Sequence, residues 1–449
     1  MSGKIHSESR NFVVGKIWPV HPESPFIQLL EREPVSFDPE SVAQLIMNAV
    51  ASGASDVTIQ TSRQVRTQIH GRHYRATDKR LSDTEVEAFL IHIYRATNAM
   101  AEIKGRKVLD FAWEISDSRE SRQRFRVNAT GILASNNDGV EITMRALPKV
   151  TPTLESVSLM QRPVLDLVPN FSEQQRREIE ARGDFIGLPQ HMFPALTPRN
   201  GIVVIAGATG QGKSTTMAAI VNFLLRDIAH PRKIIDFQAP IEYTFYDVLY
   251  AIEGSASMLG QSEVGLHIPD FAYGVRSALR RAPDVICIGE ARDLETILAA
   301  IEASLTGHNA MTTTHAGSTG ETLRRMTQTF PAQEREGRAF DLMTSLRFII
   351  SQYLVPKVGG GRVPIREYFH FDEDMRSLFI RKHPDKWGDM IDDAMDGKLS
   401  YKPFCQPMWS EVEILLRNGV ISQSTADQYL ARKKTGNILD DLPAISTAA

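Results

Sequence analysis

Residues 201–215, which read GIVVIAGATGQGKST, join a continuous apolar run to a glycine-rich loop. The run at 201–206 has the composition of a strand that is buried on both faces of a parallel sheet. Residues 207–214 then fit the pattern GxxxxGK[ST] at every position. After the loop, apolar residues recur with helical spacing at Met217, Ile220, Val221, Leu224, Leu225 and Ile228. This order of strand, loop and helix predicts a phosphate-binding loop in which backbone N–H groups and a helix N-terminus face an anion.

The residues of this loop predict ATP and Mg²⁺ as cofactors. Lys213 supplies a cation for the γ-phosphate, and the Ser214 hydroxyl is a ligand for Mg²⁺. No Asn-Lys-x-Asp stretch, which would select guanine, occurs in the sequence, and a GTPase is therefore disfavoured. The predicted nucleotide contacts are Gly207, Ala208, Thr209, Gly210, Gln211, Gly212, Lys213, Ser214 and Thr215.

Further short apolar runs alternate with helical patterns after the loop. They lie at 234–235, 285–288 and 310–314. Buried strands separated by helices are typical of a doubly wound α/β domain. In an open parallel sheet, ligands bind beyond the carboxyl ends of the strands. Polar residues that follow these strands are therefore candidates for the chemistry.

Glu242, Glu290 and His315 each follow one of the predicted strands. Phosphoryl transfer to water needs a group that orients or deprotonates the water, and a histidine can sense the γ-phosphate through a hydrogen bond. Glu242 is equally compatible with a surface carboxylate in a turn. His308, which precedes the last strand, is more compatible with a helix cap or a subunit contact. Spacing alone leaves these alternatives open.

The N-terminal third of the chain has a different pattern. Apolar residues alternate with polar ones around 57–69, which is typical of half-buried strands. Helical spacing begins at residue 41 and again at 83–97, and further strand patterns lie at 111–115, 124–129 and 140–145. These elements predict a small α+β module. Prolines at 148 and 152 indicate a linker after it.

The composition of the remaining segments also predicts their structure. Residues 1–34 contain four prolines among polar residues, and we expect them to become ordered against a neighbouring chain. Residues 173–182 are highly charged and predict a solvated helix, and three glycines at 359–361 predict a hairpin turn. The predicted parts are an N-terminal extension at 1–34, an α+β domain at 35–147, a linker at 148–158, a P-loop core at 159–370 and a helical C-terminal part at 371–449.

Charge and composition disfavour several classes of protein. The net charge of −3 argues against a nucleic-acid partner, since such binding needs a clustered basic excess. Two cysteines cannot form a four-cysteine zinc site, and they suit a reducing cytoplasm. No run approaches the roughly 18 apolar residues of a membrane span, and the N-terminus lacks the apolar core of a secretory signal. We therefore expect a cytoplasmic protein that meets the membrane only through partners.

Four blocks together resemble the PilT/VirB11/GspE superfamily of secretion ATPases. They are GATGQGKST at 207–215, DFQAPIEY at 236–243, VRSALRRAPDVICIGEARD at 275–293, and the histidine-containing segment at 306–316. Segments at 54–57 and 125–128 resemble the PAS-like N-terminal domain of that superfamily. The resemblance implies a RecA-like P-loop ATPase domain, preceded by a PAS-like α+β domain and followed by a helical C-terminal part.

The resemblance also implies roles for single residues. Glu242 corresponds to the catalytic base, Glu290 to the Walker B glutamate and His315 to the γ-phosphate sensor. The superfamily forms homohexameric rings in which arginines from a neighbouring N-terminal domain complete the site. Arg124 and Arg126 are the candidates for that task, because guanidinium groups stay charged and grip phosphate in a fork.

Arg276 and Arg280, in the helix before the Glu290 strand, are expected to act within one chain. The same helix is equally compatible with a solvated or ion-paired face.

One block departs from the superfamily pattern. The acidic box usually reads Glu-Asp-Pro-Ile-Glu, whereas residues 238–242 read QAPIE, so only the last carboxylate remains. The relaxed box and the overall layout resemble the DotB/TraJ ATPases of type IVB secretion and IncI-type conjugation. The predicted function is therefore a hexameric ATPase that powers such an apparatus with inner-membrane partners. A PilT-like pilus retraction motor and a RecA-like nucleic-acid motor are the alternatives.

Overall fold

A computed structural model describes residues 15–21, 23–69, 72–116, 122–134, 138–167, 172–252, 255–399 and 404–430. The described chain divides into two compact units, with the boundary between Lys149 and Val150. The sequence predictions that concern residues 1–14 and 431–449 lie outside the described residues.

The first unit is a six-stranded antiparallel sheet with three helices. Its elements are α1 (Pro39–Ala51), β1 (Ala54–Gln60), β2 (Arg66–Ile69), β3 (Arg72–Arg75), α2 (Asp83–Tyr94), α3 (Ala99–Lys104), β4 (Leu109–Ser116), β5 (Arg122–Leu133) and β6 (Asp138–Ala146). The strand order is β3-β2-β1-β6-β5-β4. Local signals begin both long helices: Asp38 caps α1 ahead of Pro39, and Ser82 and Glu85 form a capping box on α2. The α+β character predicted for this region agrees with these elements.

The described part of the N-terminal extension packs on its own unit. The backbone N–H groups of Lys16 and Trp18 donate to side chains of α1 or its C-cap, at 2.8 Å in both cases. Ile27 and Leu29 are buried in the core of the unit. From residue 15 onward, the extension therefore does not need a neighbouring chain to become ordered, because its apolar residues cover the core of its own unit.

The second unit is built around an eight-stranded sheet. Its elements before the acidic box are β7 (Arg162–Pro163), α4 (Glu173–Arg182), β8 (Phe185–Ile186), α5 (Phe193–Leu196), β9 (Gly201–Ala206), α6 (Lys213–Arg226) and β10 (Lys233–Gln238). They are followed by α7 (Tyr246–Ala251), β11 (Met258–Glu263), α8 (Phe271–Ala278), β12 (Val285–Ile288), α9 (Leu294–Leu305), β13 (Asn309–Thr314), α10 (Thr319–Gln328) and α11 (Arg335–Ser345). The last elements are β14 (Leu346–Pro356), β15 (Arg362–His370), α12 (Glu373–Ile380), α13 (Trp387–Met395), β16 (Cys405–Gln406), α14 (Met408–Arg417) and α15 (Gln423–Leu430).

The order of the large sheet is β11-β10-β12-β13-β9-β14-β15-β16. The first six strands are parallel, and β15 and β16 are antiparallel additions. All residues of β9, β12 and β13 are buried, as expected of central strands that are covered by helices on both faces. The α/β fold predicted from the apolar runs is confirmed.

In the second unit, elements from before the glycine-rich loop pack against elements from the C-terminal part of the chain. The α4 helix lies at 173–182, as the charge pattern predicted, and β14 and β15 form a hairpin across the three glycines. Ile179 of α4 shares a hydrophobic cluster with Val412 and Leu415 of α14. Leu154, within the predicted linker, and Leu159, just after it, are buried in the hydrophobic cluster that includes residues of β9 and α6. The C-terminal helix α14 thus packs on the segment that precedes the glycine-rich loop.

Candidate nucleotide site

The sheet order brings four loops side by side at one edge. Strands β10, β12, β13 and β9 are consecutive neighbours and parallel, so their carboxyl ends lie at the same edge. The loops that follow them carry Glu242, Glu290, His315 and the glycine-rich loop, respectively. The edge at which the sequence predicted the site therefore collects these four features.

The glycine-rich loop needs its glycines for two different reasons. Gly210 and Gly212 have φ angles of 77° and 76°, in the left-handed region that side chains disfavour. At Gly207, with φ at 155°, an added Cβ would lie 2.8 Å from the carbonyl oxygen of Gln352. The loop therefore turns tightly and lies directly against β14, and Lys213 begins α6 right after it.

The Lys213 ammonium group lies within the loop and has three acceptors. Its Nζ donates to the carbonyl oxygens of Gly207 at 2.8 Å and Ala208 at 3.1 Å, and it lies 3.3 Å from Nδ1 of His315. Burial lowers the pKa of Lys213 to about 8, although Glu290 and Glu242 oppose the shift. Both carboxylates are thus close enough to act on this cation.

His315 connects Lys213 to Glu290. An ammonium group only donates, so Nδ1 of His315 accepts and the ring proton lies on Nε2. Nε2 faces Oε1 of Glu290 at 3.4 Å. Burial, and then the charge of Lys213, lower the pKa of His315 and favour the neutral ring. The two histidine nitrogens therefore face a cation on one side and a carboxylate on the other.

Glu242 lies beside the P-loop helix α6. It lines a small cavity of about 20 Å³ together with Ser214, Asp236, Gln238 and Tyr243. That volume is just sufficient for one water molecule. The Tyr243 hydroxyl is also 3.1 Å from the Thr215 hydroxyl. Glu242 and the predicted magnesium ligand Ser214 thus line one small cavity, whose remaining walls include apolar side chains of α6.

Gln352 of β14 supports the loop from behind, and sequence reasoning missed it. Its side chain is buried, and Nε2 donates to the carbonyl oxygen of Gln211 at 2.5 Å. Its Oε1 accepts from the Thr216 hydroxyl at 2.8 Å and from Nε of Arg366 at 3.3 Å. A polar residue within the apolar run at 346–355 was the available signal, because a buried amide needs partners.

Arg366 carries this network away from the nucleotide loop. Its guanidinium group is fully buried and donates to the carbonyl oxygens of Ser158 at 2.7 Å and Val157 at 2.6 Å. The backbone N–H of Arg366 donates to Glu411 of α14 at 2.8 Å. Hydrogen bonds thus run from the glycine-rich loop to the segment at 157–158, close to where the second unit begins.

An open cleft adjoins the Glu290 and His315 side of the site. It has a volume of about 360 Å³, and its lining includes Arg292 and Arg325. Nη1 of Arg325 donates to the carbonyl oxygen of His315 at 2.7 Å, and its Nε pairs with Glu321 at the same distance. Arg292 is largely exposed, with Nη1 4.0 Å from Glu290. Positive charge is therefore present at the rim beside Glu290.

The helix arginines Arg276 and Arg280 do not reach this edge. Arg280 lies in a 3₁₀ turn that leads into β12, and the carbonyl of the next residue, Arg281, accepts from Lys233 at the start of β10. Arg276 lines a separate cavity beside Leu305 at the end of α9. Arg280 thus lies before the amino end of β12 and Arg276 lies beside α9, both away from the strand ends that form the site, so the expectation that they act in the site of their own chain is wrong.

His308 is also at the amino edge, before β13. Its Nδ1 lies 3.2 Å from the carbonyl oxygen of Ala303 in the last turn of α9. His308 therefore binds the C-terminus of α9. This agrees with the helix cap, one of the two alternatives that the sequence left open for this residue.

Arg124 and Arg126, the candidates for action on a neighbour, belong to β5 of the first unit. Nε of Arg124 lies 4.0 Å from Glu114, and Nε of Arg126 lies 3.9 Å from Asp110. Residues 124 and 126 share one face of the strand because they are two positions apart.

This fold and this edge of the sheet define a RecA-like P-loop ATPase. The profile of the family described as "Type II/IV secretion system protein" matches residues 33–364. The chain belongs to that family.

Individual relatives refine the comparison. The type IV pilus retraction ATPase PilT of Pseudomonas aeruginosa is 30% identical over 337 residues, which span 75% of this chain and 84% of PilT. Among solved structures, the ATPase DotB of Legionella pneumophila matches with a TM-score of 0.74 and 34% identity, covering 89% of this chain and 98% of DotB. A structure of the retraction motor PilT with bound ADP matches with a TM-score of 0.67 and 25% identity, covering 86% and 96% of the two chains. The resemblance to this superfamily, with DotB among its similar members, is confirmed.

No helix in the described parts of the chain combines the length and apolar character of a membrane span.

Proposed function

We propose that this chain is a ring-forming ATPase that hydrolyses ATP to power a DotB/TraJ-like type IV secretion or conjugative transfer apparatus. The observation that carries the proposal is the contact chain from Lys213 through His315 to Glu290, beside a complete phosphate loop. The similarity to DotB along 98% of its length supports the choice of machine.

The residues divide the work of hydrolysis between them. Lys213 and the loop N–H groups bind the phosphates, and Glu242 orients and deprotonates the attacking water. Glu290 acts as the Walker B glutamate, and His315 senses the γ-phosphate through the hydrogen bonds of its two ring nitrogens. Ser214 would hold Mg²⁺, and its hydroxyl and the nearby carboxylates are the hard oxygen donors that this ion prefers. When bound, Mg²⁺ offsets charge on the phosphates.

The ring completes the site in this proposal. Arg124 and Arg126 of one subunit would contact the nucleotide bound by the next, where fixed positive charge stabilises the transferring phosphoryl group. The assembly is a homohexamer that works at the cytoplasmic face of the inner membrane, through membrane components of the apparatus. Nucleic acid is not a direct partner in this proposal.

Purified protein tests both the activity and the ring. We expect Mg²⁺-dependent release of phosphate from ATP, and a hexamer by light scattering when a non-hydrolysable ATP analogue is present. Arg124→Ala and Arg126→Ala should reduce turnover without affecting the binding of ADP to an isolated chain, whereas Arg106→Ala, at an exposed position after α3 of the same unit, serves as the control. A protein that binds no nucleotide, or that remains monomeric with the analogue, would contradict the proposal.

A pilus retraction motor is the second candidate, favoured by the 30% identity to PilT. The two candidates differ in the machine that binds the ring. Co-purification with pilus platform proteins, in place of secretion or conjugation components, would favour retraction. A RecA-like nucleic-acid motor would instead show turnover that rises on addition of DNA, and we expect no such rise.

A further inference from the structure

One of the two edge strands of the large sheet, β11, contacts the loop that carries Glu242. The sequence patterns did not indicate this strand, because residues 258–263 read MLGQSE and lack an apolar run. It pairs in parallel with β10 along its whole length. Gln261 and Glu263 are two positions apart and therefore project to the same face. We refer to these two residues as the β11 pair.

The β11 pair holds the backbone on both sides of Glu242. Oε2 of Glu263 accepts from the backbone N–H of Ile241 at 3.1 Å. Nε2 of Gln261 donates to the carbonyl oxygen of Tyr243 at 2.8 Å. The residue before Glu242 and the residue after it are thus each bound by a side chain of the same strand.

The Gln261 amide is itself fixed by a buried carboxylate. Nε2 of Gln261 also donates to Oδ2 of Asp236 at 2.9 Å, so both of its hydrogens have acceptors. Oδ1 of Asp236 accepts from Nε2 of Gln238 at 2.7 Å. Asp236 lies on β10, directly opposite Gln261 in the strand register. This arrangement leaves the Gln261 side chain little freedom to rotate.

A buried carboxylate such as that of Glu263 is unusual in a residue that serves only to stabilise the fold. Only 4% of Glu263 is exposed, and within the described residues its carboxylate forms no ion pair. Burying a carboxylate without a cation is costly unless hydrogen bonds compensate. The hydrogen bond that it accepts is from the loop that carries Glu242. A costly group that serves one functional loop is typical of positioning residues.

We propose that Gln261 and Glu263 are positioning residues for Glu242, fixing its backbone so that its carboxylate meets the attacking water. This inference rests on the proposed ATP hydrolysis. A displacement of about 1 Å at a reacting group can cost roughly 100-fold in rate. These hydrogen bonds of the β11 pair act on the placement of Glu242. None of them reaches the phosphate loop residues Gly207 to Ser214.

The experiment compares four single variants in the full-length protein. Glu263→Leu removes the acceptor for Ile241, and Gln261→Leu removes the donor to Tyr243. Glu263→Gln keeps an acceptor oxygen and should rescue activity. Ser262→Ala, between the pair on the opposite face of β11, is the matched control. We expect kcat to fall by about 10-fold to 100-fold in the two leucine variants, with unchanged ADP affinity and near wild-type kcat in the other two.

Double variants separate positioning from general damage to the fold. If the pair acts through Glu242, Glu263→Leu should add no further loss in a Glu242→Gln background. Hydrogen exchange at the Ile241 amide should also accelerate in Glu263→Leu but not in Ser262→Ala. Turnover equal to that of Ser262→Ala, or a loss that persists in the Glu242→Gln background, would overturn the inference. A wild-type protein without ATP hydrolysis would instead refute the proposed function and the inference together.

Discussion

Nζ of Lys213 lies 3.3 Å from Nδ1 of His315, although the two residues are 102 positions apart in the chain. They meet because β9 and β13 are neighbours and both end at the same edge of the sheet. The other two hydrogens of the ammonium group point to loop carbonyls. A phosphate that competes for this cation would therefore change a contact of His315, and the histidine can transmit the change to Glu290.

The first prediction concerns the cation of the loop. Lys213→Ala removes the charged group that reaches the phosphates, so ATP hydrolysis should fall to background. Binding of a fluorescent ATP analogue should weaken strongly in a titration. Lys382→Ala, which removes an exposed lysine of the same unit, serves as the control. Wild-type turnover in Lys213→Ala would show that this loop does not hold the reacting phosphate.

The second prediction separates binding from chemistry. Glu290→Gln keeps an oxygen that can accept from Nε2 of His315, so the local geometry should persist. The negative charge is lost, and we expect ATP to bind with similar affinity while turnover falls by about 100-fold or more. Equilibrium binding and single-turnover hydrolysis measure the two effects. Hydrolysis at the wild-type rate would remove Glu290 from the mechanism.

The third prediction concerns the support behind the glycine-rich loop. Gln352→Leu removes the partner of Gln211, Thr216 and Arg366 at one buried position. Unpaired buried polar groups cost about 1–3 kcal/mol each, and we expect a total loss of about 2–4 kcal/mol in the free energy of unfolding. Denaturant unfolding would measure the loss, and nucleotide affinity should weaken in parallel.

Gln174→Leu is the control for this variant, since Gln174 lies on the exposed face of α4. If Gln352→Leu bound nucleotide and unfolded like this control, the loop would need no support from β14.

The fourth prediction concerns pH and the first unit. Burial alone would raise the pKa of Glu85, but hydrogen bonds from Lys79, Ser82 and Phe37 lower it from 4.5 to about 2. A lowered carboxyl pKa in the folded state means that ionised Glu85 stabilises the fold above pH 4.5. That stabilisation, about 3 kcal/mol, is lost as the pH falls from 4.5 toward 2.

Glu85→Gln tests this assignment. The variant should be less stable than wild type at pH 7, and the difference should shrink as the pH falls from 4.5 toward 2. Hydrogen exchange in α2, measured by mass spectrometry on the full chain, reports the local stability. Glu87→Gln, on the same helix and outside this hydrogen-bond network, is the control. A stability difference that stays constant with pH would exclude Glu85 as the titrating group.

Features encoded by consecutive residues could be predicted well. The apolar run at 201–206, the glycine-rich loop and the helix after it specify their local structure through burial, backbone freedom and helical spacing. The same reasoning predicted that Glu242, Glu290 and His315 would follow strands and lie at one edge. Parallel strands impose this outcome whatever their order in the sheet.

Features that depend on partners distant in sequence could not be predicted in this way. The arginines at 276 and 280 precede β12, and a segment before a parallel strand lies at the amino edge, opposite the site. Strand β11 was missed because an edge strand needs no apolar run. Gln261 and Glu263 become informative only when their contacts with the Glu242 loop are known.

The sequence by itself determined the P-loop, the strand–helix alternation and the residues that end each strand, because those depend on interactions between near neighbours in the chain. Only the tertiary structure decided which of these ends meet and which side chains hold them: Lys213 against His315, Gln352 behind the loop, and the β11 pair on either side of Glu242. The physical reason is that hydrogen bonds and charges act over a few ångströms in space, and the order of strands in the sheet sets those distances.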